Sequence, residues 1–131
     1  MAVIKSLDEL NSPTKRLAVR FLAAANRFLL PYGLRLVVTE TYRTQARQNY
    51  LWMFGRVIPG RKRTWTRTSR HTKRDAVDVC FASAAVWKKN VHPYNGHDEL
   101  WEAIGVIGEQ CGLEWGGRWN TPDRPHFQAK D

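Results

Sequence analysis

His71, Asp78 and His126 are the side chains of this sequence best suited to act together, with Asp123 three positions before the second histidine. Two neutral imidazoles and one carboxylate suit Zn²⁺, and three protein ligands leave a fourth position for water, the arrangement of a catalytic rather than a structural site. Zinc in such a site brings the pKa of bound water towards about 7 and polarises a carbonyl that takes the open position. A group must then accept the water's proton, and Asp123 is the nearest candidate. Residue types alone leave the alternative standing, since isolated His and Asp are more often surface or hydrogen-bonded polar residues.

Spacing says which elements must deliver these groups. Residues 71 and 78 are an odd number apart and face opposite sides of any continuous strand, so His71 has to come from the loop before Ala76. Ala76 to Phe81 alternates Ala76, Asp78 and Cys80 against Val77, Val79 and Phe81, a strand with one strongly apolar face. Asp123 and His126 need an irregular turn, and Pro125 supports one by restricting Arg124 to extended geometry. Further out, Ser12 and Pro13 predict the start of a helix carrying Leu17, Phe21, Ala25 and Phe28 to about Leu30. Leu34 to Thr41 reads as a strand. A second helix from Thr44 to Gly55 places Ala46, Tyr50 and Phe54 on one stripe, and a third from Asp98 turns Leu100, Ile104, Ile107 and Cys111 inward and closes at Gly112. Leu113 to Trp115 and Pro125 to Gln128 are two short strand-like pieces. The order predicts an α+β fold over residues 1–131 as one catalytic domain, a small and largely antiparallel sheet packed with about three helices.

The 131 residues carry 21 Lys and Arg against 12 Asp and Glu, a net charge of +9, with 43% hydrophobic residues and six Trp, which excludes disorder. The longest apolar run, Phe21 to Ala25, is far below the roughly 20 residues of a membrane span, so no membrane insertion is expected. The amino-terminal segment lacks the pattern of a signal peptide. Cys80 and Cys111 are too few for a disulfide scaffold and read as reduced, buried thiols. Residues 56–74 hold eight basic and no acidic residues and read as an exposed loop. With Trp65 inside, that loop also resembles a nucleic-acid-binding arm, although attraction to an anionic cell envelope is the favoured use of the charge. Trp115 reads as core, Trp119 as a candidate cleft wall, and His92 and His97 as solvated loop residues.

Four fragments in order, Ser69-x-His71, Ala76-x-Asp78, Glu114-Trp115-Gly116-Gly117 and Asp123-Arg124-Pro125-His126-Phe127, resemble the zinc peptidases of the D-alanyl-D-alanine carboxypeptidase type. The likeness is greatest to phage endolysins that are L-alanyl-D-glutamate endopeptidases, and it extends to Glu40-Thr41-Tyr42-Arg43-Thr44 with Gln45 and Gln48. The resemblance implies one Zn²⁺ on His71, Asp78 and His126, Asp123 as catalytic base, and Arg43 near the substrate's carbonyl or carboxylate. Ser69 is a substrate contact or a loop-shaping residue, and Arg70 and Arg74 are candidates to meet D-glutamate carboxylates. Two positions depart from the pattern: Arg74 stands where the family often has Gly, and Arg118 where an acidic residue is common.

The resemblance also implies a monomeric lysin made in a host cytoplasm, acting on peptidoglycan stem peptides in the periplasm or cell wall after passage through a separate pore protein. The competing readings are a D-alanyl-D-alanine carboxypeptidase or dipeptidase on the same scaffold, and a non-enzymatic nucleic-acid-binding protein.

Overall fold

The computed structural model describes residues 2–64, 66–83 and 98–131; Trp65, His92 and His97 lie outside them. Helix α1 spans Ser12–Leu29, strand β1 Leu34–Glu40, helix α2 Gln45–Met53, strand β2 Ala76–Ser83, helix α3 Asp98–Gln110, strand β3 Leu113–Trp115 and strand β4 His126–Ala129. The strands form one antiparallel sheet in the order β1-β2-β4-β3. The α+β architecture matches the expectation, and three corrections concern which residues start or face what.

The cap of α1 is Asn11 rather than Ser12, because the Asn11 side chain accepts the Thr14 N–H at 2.9 Å. Thr14, Ala18, Phe21, Ala25 and Leu29 are the buried spine of α1, while Leu17 and Phe28 flank it half-buried. In α2, capped by Thr44 as predicted by its start, the inward residues are Gln48 and Leu51; Ala46 is exposed. A polar Gln interrupts the apolar stripe there because it serves a hydrogen-bond network at the site. In α3, Trp101, Ile104, Gly105 and Gly108 are buried and Leu100 and Ile107 pack half-buried at the margin, as does Cys111 just past its end.

Phe127 ties the sheet to both long helices. Its ring centroid lies 4.4 Å from that of Phe21 on α1 and 6.4 Å from that of Trp115 on β3. Gly105 and Gly108 let α3 approach this layer: a Cβ on Gly105 would stand 2.3 Å from Trp115, and one on Gly108 2.5 Å from Phe127. Each of these fully buried aromatic side chains is worth roughly 1.5–3 kcal/mol of burial. The neighbour of Phe127 on β4 is His126, so the packing that fixes the interior face of the strand also fixes the site on its other face. Cys80 is buried and Cys111 half-buried, both as free thiols; burial pushes the Cys80 thiol up. Among the described residues no helix is long and apolar enough to cross a membrane.

Candidate metal centre and cavity

Strand register brings the carboxylate and one imidazole together. Asp78 on β2 is paired directly with His126 on β4, and His126 Nδ1 lies 3.1 Å from Asp78 Oδ1. His71 arrives from the turn preceding β2, as the odd spacing requires. Its backbone N–H donates to Ser69 Oγ at 3.1 Å, its carbonyl accepts from Arg43 N–H at 3.1 Å, and its Nε2 stands 3.2 Å from Asp78 Oδ1. One ligand atom from each of the three residues falls within 4.8 Å of the other two.

The ring partners decide where the hydrogens are. His71 Nδ1 lies 2.7 Å from the Thr41 carbonyl, which can only accept, so Nδ1 carries the hydrogen and Nε2 presents a lone pair. That Nε2 is buried and has no hydrogen-bond partner. His126 Nε2 lies 2.8 Å from Gln128 Oε1, and Gln128 Nε2 donates to Glu114 Oε2 at 3.3 Å, which orients the amide so that it accepts from the ring. His126 Nδ1 therefore faces Asp78. A buried lone pair, a second ring nitrogen and a carboxylate oxygen converging without a donor among them call for a cation. Asp78 Oδ1 stands 3.1 Å from one ring nitrogen and 3.2 Å from the other, and the three atoms lie within 4.8 Å of one another. The donor set fits a divalent metal ion.

A proton substitutes in part for that cation. Burial alone would lower the His126 pKa, but the hydrogen bond and charge of Asp78, with Asp123 and Gln128, raise it. Burial would likewise raise Asp78, yet the hydrogen bond and charge of His126, with the His71 ring beside it, outweigh that and hold the carboxyl well below the usual carboxylate range. Asp123 moves the other way: desolvation within the cavity, then the Asp78 carboxylate, raise its pKa. One carboxyl is thus kept ionised while a second is brought nearer to neutrality.

Asp123 is held by its backbone, which donates to the Gly116 carbonyl at 2.9 Å and accepts from His126 N–H at 3.2 Å. A Cβ on Gly116 would come within 2.5 Å of the Asp123 carbonyl, so this turn needs glycine. Trp115, buried as expected, pins the same segment by donating Nε1–H to the Arg124 carbonyl at 2.8 Å.

His71, Asp78, His126, Asp123, Arg43, Ser69 and Trp119 all line one open cavity of about 660 Å³. Trp119 stands 5.1 Å from His126, ring to ring, and donates to Glu114 Oε2 at 2.9 Å. Arg43 is bound bidentately by Glu40, at 3.2 and 2.5 Å, and donates to Gln48 Oε1 at 2.8 Å. Arg70 and Arg74 do not line the cavity: Arg70 pairs with Asp75 and Asp131, and Arg74 with Glu9. Arg74 adopts φ +63°, a left-handed conformation that glycine takes without steric cost. Arg118, the other departure, pairs with Glu109 and Glu102.

Gln128 and Arg63 escaped the sequence reading. Gln128 follows His126 by two residues on one strand face, a period-2 signal that could have found it. Arg63 lines the cavity but is one of eight cations in its loop, and composition does not single it out.

A three-donor cluster at the floor of an open cavity, with a separate carboxylate beside it, defines a scaffold suited to single-metal hydrolysis. The profile of the D-alanyl-D-alanine carboxypeptidase family matches residues 62–129, more than half of the sequence, and the chain belongs to that family. It is similar to the peptidoglycan L-alanyl-D-glutamate endopeptidase CwlK of Bacillus subtilis strain 168, at 29% identity over 112 residues. That match covers 81% of this chain and 64% of the relative, so the chain spans under two thirds of its curated relative's length. Its structure is similar to the crystal structure of the Serratia marcescens L-Ala D-Glu endopeptidase ChiX, with a TM-score of 0.64 and 27% identity, covering 95% of this chain and 83% of the other.

Proposed function

We propose that this protein is a zinc endopeptidase that hydrolyses the L-alanyl-D-glutamate bond of peptidoglycan stem peptides. The observation that carries the reading is the convergence of His71 Nε2, His126 Nδ1 and Asp78 Oδ1 beside Asp123 in an open cavity. Family membership supports the peptidase chemistry, and likeness to two proteins named as L-Ala-D-Glu endopeptidases supports the bond.

In this reading His71, Asp78 and His126 would hold one Zn²⁺, which would supply a Lewis acid and lower the pKa of water. Thr41 and Gln128 fix the two imidazole tautomers so that the correct nitrogen faces the ion. Asp123 accepts the proton of the attacking water and returns it to the leaving amine; its raised pKa suits a group that must both take and give. Arg43, locked by Glu40 and Gln48, contributes a fixed cation on the wall where carbonyl charge develops. The wider role we infer is that of a monomeric phage endolysin that reaches the host wall through a separate pore protein. Its support is the motif resemblance, joined by a charge of +9 suited to an anionic envelope.

The family's own description favours one second reading, release of terminal D-alanine. Mass spectrometry of fragments from purified murein separates the two. Cleavage between L-alanine and D-glutamate, abolished by a chelator and restored by zinc, is the expected result; loss of D-alanine alone would replace the reading with the carboxypeptidase. Asp123→Asn should retain zinc and lose at least about a thousandfold in kcat.

A further inference from the structure

The cavity carries two arginines in very different states. Arg43 is held by the buried Glu40, which it shares with Arg47, and is further engaged by Gln48. Arg63 is exposed, and among the described residues no carboxylate pairs with it. Its guanidinium instead lies over the Phe54 ring, 3.7 Å from the centroid, so the side chain is already restrained by a buried aromatic while its hydrogen-bond donors meet no acceptor among the described residues.

The backbone beside it is braced from below. Gln48 Nε2 donates to Thr66 O at 2.6 Å and to Thr64 Oγ1 at 3.2 Å, and Arg56 Nη1 donates to Thr64 O at 3.1 Å. A cation is thereby presented on a supported rim rather than a free tail. On the floor of the same cavity stand the carboxylates of Asp78 and Asp123, whose two negative charges a divalent ion held there would balance. Arg63 is then a cation on the cavity wall that no carboxylate of the described residues balances. A glutamyl residue linked onward through one of its carboxyls keeps the other free, and that free carboxylate matches the Arg63 end.

Resting on the proposed function, we infer that Arg63 is a specificity-determining residue that selects substrates with a free glutamyl carboxylate over the same peptides with a carboxamide. Arg70 and Arg74, the cations that composition alone offered, are already paired and off the cavity wall.

The test uses two synthetic stem peptides identical except for carboxylate or carboxamide at the glutamyl position, with the zinc-loaded full chain. The wild type should show a KM about tenfold lower for the carboxylate. Arg63→Gln, which preserves much of the side-chain length and polarity, should remove that preference by raising KM on the carboxylate peptide alone, leaving kcat within about twofold; Arg63→Lys should restore part of it. Equal KM for both peptides in the wild type, or an equal loss on both in Arg63→Gln, would overturn the assignment while leaving the proposed reaction intact. Cleavage of neither peptide by the wild type would overturn the reaction and the assignment with it.

Discussion

Asp78 and His126 stand on paired strands whose opposite faces are packed into an apolar interior, whereas Arg63, Thr64 and Thr66 stand on a polar segment tied to α2 by side-chain hydrogen bonds. The floor of the cavity inherits its precision from Phe127 and Trp115, which share the sheet with Asp78 and His126, and from Phe21 of α1 packed against them. The rim depends on Gln48 and on a cation stacked over Phe54. The comparison assigns different tasks. Tight donor geometry belongs where burial makes displacement costly, and recognition of a variable substrate belongs where a few hydrogen bonds set the position.

If that division holds, changes on the floor act on metal and stability together, and changes on the rim act on substrate preference alone. The largest effect is expected from His71→Ala or His126→Ala, each of which removes a donor and should reduce zinc affinity by more than about a thousandfold, with a lower melting temperature in saturating zinc. Retention of one tightly held zinc by either variant, measured by elemental analysis, would break the floor side of the comparison.

Gln128→Leu comes next. It leaves all three donors in place but removes the acceptor that fixes the His126 hydrogen on Nε2, and should weaken zinc binding about 10- to 100-fold. Gln128→Glu, which keeps an acceptor, should recover most of the loss; failure of that rescue would mean the position matters only for packing.

The metal-free protein supplies a sharper, pH-resolved comparison. The folded-state pKa of His126 is raised, so its contribution to stability is present below the ordinary histidine value of about 6.5 and is lost as pH rises through the folded value. Thermal melts of the metal-free chain should decline across that window, while zinc affinity rises over the same window because the proton no longer competes. A decline that persists in His126→Ala would assign it elsewhere.

Arg74→Gly should do least. Glycine relieves a left-handed residue worth about 1 kcal/mol, and the variant gives up an exposed pair with Glu9 and a stack over Tyr42 of similar size. Stability and turnover should both stay within about 1 kcal/mol of the parent. A large fall in kcat would return Arg74 to the site.

Much of the floor was legible in the sequence because it obeys periodicity. The alternation around Asp78, the odd interval to His71 and the Pro125 turn before His126 each specify an element, and the register then pairs Asp78 with His126. The rim was not legible, since eight cations in one loop carry no pattern that separates Arg63 over Phe54 from Arg70 bound to Asp75. Helix α2 misled for a related reason: an apolar stripe through Ala46 is the ordinary expectation, and a buried Gln48 becomes intelligible only once Arg43 and Thr66 are seen to be its partners. Arg74 shows the converse, where a departure from the family pattern became meaningful through a single backbone angle.

The central claim is that His71, Asp78 and His126 share one ion, and titration of the metal-free protein with zinc while observing the histidine ring nitrogens by ¹⁵N NMR tests it most directly. One equivalent should move His71 Nε2 and His126 Nδ1 and leave their partner nitrogens protonated. Saturation without a shift at either nitrogen would contradict the account.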